Sequence, residues 1–464
     1  MNKTLMRYAG LAAAGLVLLA LAGVTGLVPG IGNDSASHSN LSQNSLSQNS
    51  LSQNSATNTT LAPAGKRDLA VPVSVASGLL ENVLPDSRVQ LLRVPDGGIQ
   101  PRAETDAKGT THLLYFLPAQ SPTTAAQAQS GHLYYRQLAA EAQQWSPAIQ
   151  VSTAVYSHND AIGKASLAID TAGRVHVIWL ELDPVSFRYT RSNLQHSAFE
   201  SPRSMVSIHL LGIEAEPALA VSGTRVAITW HAGDMLDEAQ RAVYARTSSD
   251  AGATFGPEQQ ISDPDLGACA CCGLAATYRP DETLLVAYRS AIDSIGRHMQ
   301  LLQSASNKRQ TKMLDAWELN ACPVTSNQFA QGFATLAALS PTQAQPLWLA
   351  FETRGEIRLY DDSGGQMRGV RPAAAGLRQK HPALAINTNG QRLLAWGEGN
   401  GYKSGGRLNW QLFNPAGATI DGTTEETTDS TSGIDTKPAK ELQIPDYSVA
   451  AVAPRTNNSF VLIY

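Results

Sequence analysis

Seven times between residues 109 and 464, a glycine or polar turn leads into a run of apolar, β-branched and aromatic residues. The runs are GTTHLLYF, GRVHVIWLEL, GTRVAITWHAG, DETLLVAYRS, QPLWLAFETRG, GQRLLAWGEG and NNSFVLIY. Short apolar runs bounded by turn signals predict buried strands. Their aromatics, Tyr115, Trp179, Trp230, Tyr288, Phe351, Trp396 and Tyr464, recur every 45 to 68 residues or so, the length of a four-stranded propeller blade. Long stretches with apolar positions three and four apart are missing, which argues against an alternating α/β fold.

A second pattern follows three of these runs. LYYRQLAAEAQQWSPAIQVS (133–152), FRYTRSNLQHSAFESPRSMVS (187–207) and VYARTSSDAGATFGPEQQIS (243–262) each read as strand, polar turn, aromatic, proline and second short strand. In the third, the turn Ser248-Ser249-Asp250-Ala251-Gly252-Ala253-Thr254-Phe255 has the form S-x-D-x-G-x-T-aromatic. Asp250 can accept from turn N–H groups, Gly252 can adopt a left-handed conformation, and Thr254 with Phe255 can pack the hairpin on its blade. This turn resembles the Asp-box of the sialidase-like (BNR-repeat) propellers, where such boxes are peripheral and structural.

These readings predict an all-β, sialidase-like propeller over residues 68–464, with six or seven four-stranded blades. The seven runs are read as the inner strands of the blades, and residues 448–464 are expected to join strands near Arg88 to Leu92 to close the ring. The acidic, Thr-rich stretch 415–445 reads as a surface loop.

The N-terminal segment adds a different chemistry. Lys3 and Arg7 precede an apolar run from about Ala9 to Val28, near the roughly 20 residues that cross a bilayer as a helix. Residues 1–30 are therefore expected to be a membrane anchor or a signal sequence, with the rest of the chain outside the cytoplasm. That means the periplasmic face of an inner membrane or the cell surface, or secretion if the segment is cleaved. Residues 31–67, with three LSQNS repeats, read as a flexible linker. The net charge of -4 argues against a nucleic-acid partner.

Sialidases clamp a carboxylate with three arginines and use a tyrosine nucleophile activated by a glutamate, an exception to two-carboxylate glycosidases. The resemblance carries only part of that machinery. IQPRAETDAKG lacks the family's Arg-Ile-Pro, with Arg102 after the proline instead of before it. Counting back from Arg289, the position of the base glutamate holds Gly273, directly after Cys272. Tyr447-Ser448 is similar to the nucleophile's Tyr-Ser, and Arg297 is a further candidate clamp.

Where a sialidase keeps its base, this chain has cysteines. Cys269, Cys271 and Cys272 lie within four positions, and the only other cysteine is Cys322. The C-x-C-C segment with the downstream W-x4-C-P (Trp317 to Pro323) resembles a bacterial subgroup of sialidase-like proteins with no established reaction; the likeness covers about residues 215–330. Three chemistries fit. An even count outside the cytoplasm suits disulfides, with Cys322 stapled to the cluster and the other two in a tight, reducible ring. Converging thiolates suit Cu(I) or Zn(II), and C-x-C-C departs from the usual zinc spacing towards copper. A redox pair is the third.

The sequence thus predicts a non-hydrolytic, membrane-tethered binding protein with a thiolate site, for a glycan or an envelope protein ligand. A divergent exo-sialidase or other glycoside hydrolase and a disulfide-stapled envelope scaffold are the alternatives.

Overall fold

The computed structural model describes residues 88–119, 130–152, 156–157, 165–182, 184–305, 308–331, 347–370, 373, 376–401, 403–420 and 442–464. The N-terminal apolar run, the LSQNS repeats and most of the Thr-rich stretch lie outside these. Among the described residues no helix is long and apolar enough to cross a membrane.

The strand β1 (Val89–Leu92) comes first in the chain and belongs to the last blade. Blade 1 is β2 (Ile99–Thr105), β3 (Thr111–Pro118), β4 (Ser130–Leu138) and β5 (Ile149–Gln150), with β6 (Tyr156–Ser157) also paired to β4. Blade 2 is β7 (Ala165–Ile169), β8 (Val175–Leu182), β9 (Val185–Arg191) and β10 (Arg203–Ser204), and blade 3 is β11 (Ala218–Ser222), β12 (Arg225–Ala232), β13 (Ala242–Ser248) and β14 (Gln259–Gln260). Blade 4 is β15 (Ala275–Tyr278), β16 (Leu284–Arg289), β17 (Met299–Ala305) and β18 (Lys308–Asp315), and blade 5 is β19 (Asn327–Gln331), β20 (Leu347–Thr353), β21 (Glu356–Asp361) and β22 (Gln366–Gly369). Blade 6 has three strands among the described residues, β23 (Gln379–Ile386), β24 (Arg392–Glu398) and β25 (Arg407–Phe413). Blade 7 combines β26 (Ala451–Pro454) and β27 (Phe460–Ile463) with β1, which pairs parallel to β27 from Val89–Phe460 to Leu92–Ile463. The ring therefore closes at seven blades, using the two chain segments expected from the sequence. Among the described residues blades 6 and 7 show three strands each, and the outer edge of blade 6 is bridged by Thr419 and Gln443, which pair with Phe413 and Arg407 of β25.

The aromatic runs form the second strand of each blade, not the innermost, which corrects their assignment. The reason lies in burial. On β8, Val175, Val177 and Trp179 face blade 1, while Ile178 and Leu180 face blade 3. A strand buried on both faces reads as a continuous apolar run. The innermost strands, such as ALAVS, AATY and AVAP, face the central channel and carry small residues, so their signal is weaker.

Each aromatic plugs one interface between blades. Tyr115 packs between blades 7 and 1, Trp179 between 1 and 2, Trp230 between 2 and 3, and Tyr288 between 3 and 4. Phe351, Trp396 and Tyr464 continue the series between blades 4 and 5, 5 and 6, and 6 and 7. All are buried, and burying a side chain of this size contributes about 2–3 kcal/mol.

Polar tethers lock the second strand to the third in blades 1 and 2. The turn D-x-x-G-x-x-H places Asp106 and His112, then Asp170 and His176, at matching positions. His176 Nδ1 is 2.6 Å from the Tyr189 hydroxyl and its Nε2 is 3.3 Å from Asp170 Oδ2; His112 repeats both distances with Tyr135 and Asp106. Burial lowers the pKa of both imidazoles in spite of the facing aspartates, so each is neutral, donating from Nε2 and accepting the tyrosine proton at Nδ1.

The Asp-box turn lies between β13 and β14 at the outer edge of blade 3. Asp250 accepts from the Thr254 N–H (2.9 Å), the Thr254 hydroxyl (2.6 Å) and the Ser248 hydroxyl (2.7 Å). Ser248 in turn accepts from the Gly252 N–H. Gly252 has φ +73°, and Phe255 packs edge-on to Tyr189 of blade 2.

Candidate metal centre

The segment that leaves blade 3 for the inner strand of blade 4 is held backbone to backbone. Gly267 turns it with φ +58°, and a Cβ there would lie 2.9 Å from both Ala239 Cα and Glu238 O. Ala268 N–H then donates to Glu238 O, Cys269 N–H to Arg289 O, and Gly273 N–H to Thr325 O. The Ala270 N–H donates to Glu238 Oε1 at 2.7 Å. Ala270 between the cysteines, with Ala268 and Gly273 on either side, lets the loop sink among its neighbours. Cys269, Cys271 and Cys272 are 1%, 7% and 3% exposed, with Val324 beside them.

The three sulfurs converge. Cys269 Sγ is 3.6 Å from Cys271 Sγ and 3.1 Å from Cys272 Sγ, and Cys271 and Cys272 are 4.0 Å apart. Cys322, across the loop, is exposed and interacts with Cys271. None of the four forms a disulfide. The structure gives no support to the expected staple or tight ring: the three sulfurs of the cluster stand well beyond the roughly 2.05 Å of an S–S bond. A metal fits better. With metal–sulfur bonds of about 2.3 Å, ligand sulfurs stand about 3.8–4.0 Å apart, so two of the three separations are already close and the third must open by under 1 Å.

The surroundings favour negative charge on one of these sulfurs, Cys272, while the neighbouring thiols and burial push Cys269 and Cys271 up. Arg289 is buried and donates from Nε to Thr325 Oγ1 (3.0 Å), and that hydroxyl donates to Cys272 Sγ (3.4 Å). Burial alone would raise the Cys272 pKa, yet the thiols of Cys269 and Cys271, the Arg289 charge and the Thr325 hydroxyl hold it well below its ordinary value. Arg297 is 4% exposed and pairs with Glu238 at 2.5 Å, while its Nε and Nη1 have no hydrogen-bond partner among the described residues. Its charge acts on Cys269 and Cys272. Behind the cluster, burial pushes Glu352 up to about 7, against the pull of Lys380 (3.8 Å away) and Arg289.

The inner strand that follows the cluster faces the central channel, with Leu274, two residues after Cys272, on its wall. A cavity of about 480 Å³ there is lined by residues from all seven inner strands, among them Arg102, Glu216, Leu274, Asn327 and His381. Arg102 is closed onto Glu216 by bonds of 2.7–2.8 Å. Burial, with the charges of Lys380 and Arg102, depresses His381 to about 3.

The structure brings Arg289 and Arg297 to the cysteines. Arg289 is also held by the Arg297 and Glu352 carbonyls and stacks on Trp317, its carbon 4.9 Å from the ring centre. Tyr447 stands elsewhere, at the interface of blades 1 and 2, its N–H donating to Lys403 O. Sequence reading missed Glu238, Thr325, Glu352 and Lys380. For Glu352 a signal was there. In blades 2 to 6 the residue one or two positions beyond the plugging aromatic is polar and buried: Glu181, His231, Arg289, Glu352 and Glu398.

No protein-family model matches the sequence, and no curated protein matches it. Among solved structures, the chain is similar to an α-L-arabinanase of Penicillium chrysogenum complexed with arabinobiose (10% identity, TM-score 0.44, 69% of this chain and 94% of that one). It is also similar to a Hadza microbial sialidase (13%, 0.41, 70% and 68%) and to the Aleuria aurantia lectin complexed with a fucosylated sugar (12%, 0.42, 71% and 97%).

Proposed function

We propose that this propeller is a non-hydrolytic metal-binding protein whose ligands are Cys269, Cys271 and Cys272 and whose ion is Cu(I). The observation that carries the reading is the convergence of three buried sulfurs beside a buried arginine with two N–H groups unpartnered among the described residues. Thiolates are soft ligands, and three of them suit Cu(I), whereas a structural zinc site draws on four ligands. Three thiolates around a single positive charge leave about two negative charges, which Arg289, acting through Thr325, and Arg297, shared with Glu238, offset in part.

Hydrolysis is disfavoured by the same residues. The Arg289 guanidinium is engaged with Thr325, the Arg297 carbonyl and the Glu352 carbonyl, which leaves no fork for a substrate carboxylate. The apolar segment 9–28 and the linker behind it support a site outside the cytoplasm, tethered at a membrane. A glycan or an envelope protein at the channel mouth is the organic ligand this reading allows.

The test is anaerobic titration of the full chain with Cu(I) against bathocuproine disulfonate, with metal analysis alongside. One copper per chain, absent from Cys271→Ser/Cys272→Ser, is expected. A chain that retains no copper, or retains it equally in the double variant, overturns the reading. Stoichiometric zinc in its place would correct the ion. Turnover of a fluorogenic sialoside, lost in Tyr447→Phe, would favour the hydrolase.

A further inference from the structure

The three ligating sulfurs proposed above are nearly shut off from water, and a metal held by them has to arrive and leave. Their burial leaves an incoming ligand almost no surface to attack, the most open of them, Cys271, being 7% exposed. Cys271 is also the one that interacts with Cys322, the single exposed cysteine.

The segment that carries Cys322 is fastened on both sides. Upstream, the Trp317 N–H donates to His298 Nδ1 at 3.0 Å and the Leu319 N–H to Ile295 O at 2.8 Å. Downstream, Lys380 Nζ donates to Pro323 O at 2.7 Å, and the Thr325 carbonyl accepts from Gly273. Between these pins, Asn320, Ala321 and Cys322 make no backbone hydrogen bond among the described residues. A thiol on such a short bridge can turn between solvent and the cluster while its neighbours stay in place.

We infer that Cys322 is the exchange ligand of the site, taking Cu(I) from a carrier that presents thiolate or thioether sulfur and passing it to the buried triad through Cys271. This rests on the copper reading above. In the inward direction a bond forms from Cys322 Sγ to copper as the carrier's sulfur–copper bond breaks, and the Cys322 thiol proton passes to the departing thiolate or to water. Cys271 Sγ then bonds the copper, its thiol proton passing to Cys322 Sγ as the Cys322–copper bond breaks, and Cys269 and Cys272 complete the triad, any thiol proton they still carry passing to water. Copper stays Cu(I) throughout and no electron moves. Release runs the same steps backwards. The partner implied is a soft-metal carrier whose sulfur ligand reaches the protein surface.

The experiment loads the full chain with one equivalent of Cu(I) and follows its transfer to excess bathocuproine disulfonate by stopped flow. Loading from Cu(I)–glutathione is timed in parallel. Wild type, Cys322→Ser and Cys322→Met are compared. The expected result is one copper per chain in all three, with affinities within threefold. Transfer in both directions should be at least tenfold slower in Cys322→Ser and return to within threefold of wild type in Cys322→Met, whose thioether is still a copper ligand. Transfer at the wild-type rate in Cys322→Ser overturns the inference. Loss of copper from that variant overturns it as well, since Cys322 would then be a resident ligand. A wild type that takes no copper overturns the metal reading and this inference together, whereas normal binding with unchanged kinetics overturns this inference alone.

Discussion

Replacing His176 with leucine keeps much of the side-chain volume and removes both hydrogen bonds of a fully buried tether. The Tyr189 hydroxyl loses its acceptor at 2.6 Å, and Asp170 loses a donor at 3.3 Å while keeping the Arg174 N–H at 2.8 Å. A buried hydroxyl left unsatisfied costs about 1–3 kcal/mol, and a hydrogen bond to a charged group is worth about 1.5–3 kcal/mol. The expected loss is therefore about 3–5 kcal/mol, a large part of the roughly 5–15 kcal/mol that holds a folded domain. Urea unfolding measures it, and Tyr189→Phe in the same background should recover about 1–2 kcal/mol by removing the orphaned hydroxyl. Acid changes the comparison in a definite direction. The folded wild type keeps His176 neutral because burial lowers its pKa, while the unfolded chain takes up a proton below about pH 6.5. Wild type thus loses stability through this residue as the pH falls and the leucine variant lacks that loss, so the deficit should shrink by up to about 1.4 kcal/mol per pH unit between pH 6.5 and 5. A loss under about 1 kcal/mol, or a deficit that grows on acidification, would refute the reasoning.

Three further outcomes follow from the same contacts. Gly252→Ala places a Cβ 1.9 Å from the Tyr189 hydroxyl at φ +73°, and should lower stability by about 2–4 kcal/mol, less so when His176 is already leucine; chemical denaturation of the single and double variants reads both. Arg297→Met, with Glu238→Gln added so that no carboxylate is stranded, should weaken Cu(I) binding by about 10–100-fold in competition titrations while leaving one site per chain. Thr325→Val removes the donor to Cys272 and the acceptor of Arg289, and should weaken the same titration by about tenfold with little effect on the transfer rate per bound copper.

Seven buried aromatics at blade-length spacing made the propeller legible, yet the strand they mark was misplaced by one. Tyr288 and Trp396 announce themselves because their strands are enclosed on both faces, while the channel strands AATY and AVAP need only small residues and look unremarkable in sequence. The D-x-x-G-x-x-H turns at Asp106 and Asp170 were readable and passed unnoticed. At the site, the cysteines could be seen but their state could not: counting thiols says nothing about sulfur separations, which the hydrogen bonds of Cys269 to Arg289 and Gly273 to Thr325 determine. Glu238 and Thr325 lie over 30 and 50 residues from the thiols they serve, and no spacing rule joins them.

The parallel pairing of β1 with β27 also sets an order of events for the newly made chain. Val89 emerges among the first of the described residues, but its partner Phe460 is among the last. Blades 1 to 6 can each form from neighbouring segments, whereas the seventh needs both ends at once and bears the loop-closure cost of the whole ring. Until then the arc has two open flanks, with Tyr115 and Leu113 on one and Leu393 and Ala385 on the other. Such exposed apolar edges are where partly folded chains aggregate or swap strands. The slow step in folding should therefore be the closing of this seam, and a chain stalled short of β27 would be an open, sticky arc with its cysteine loop already in place.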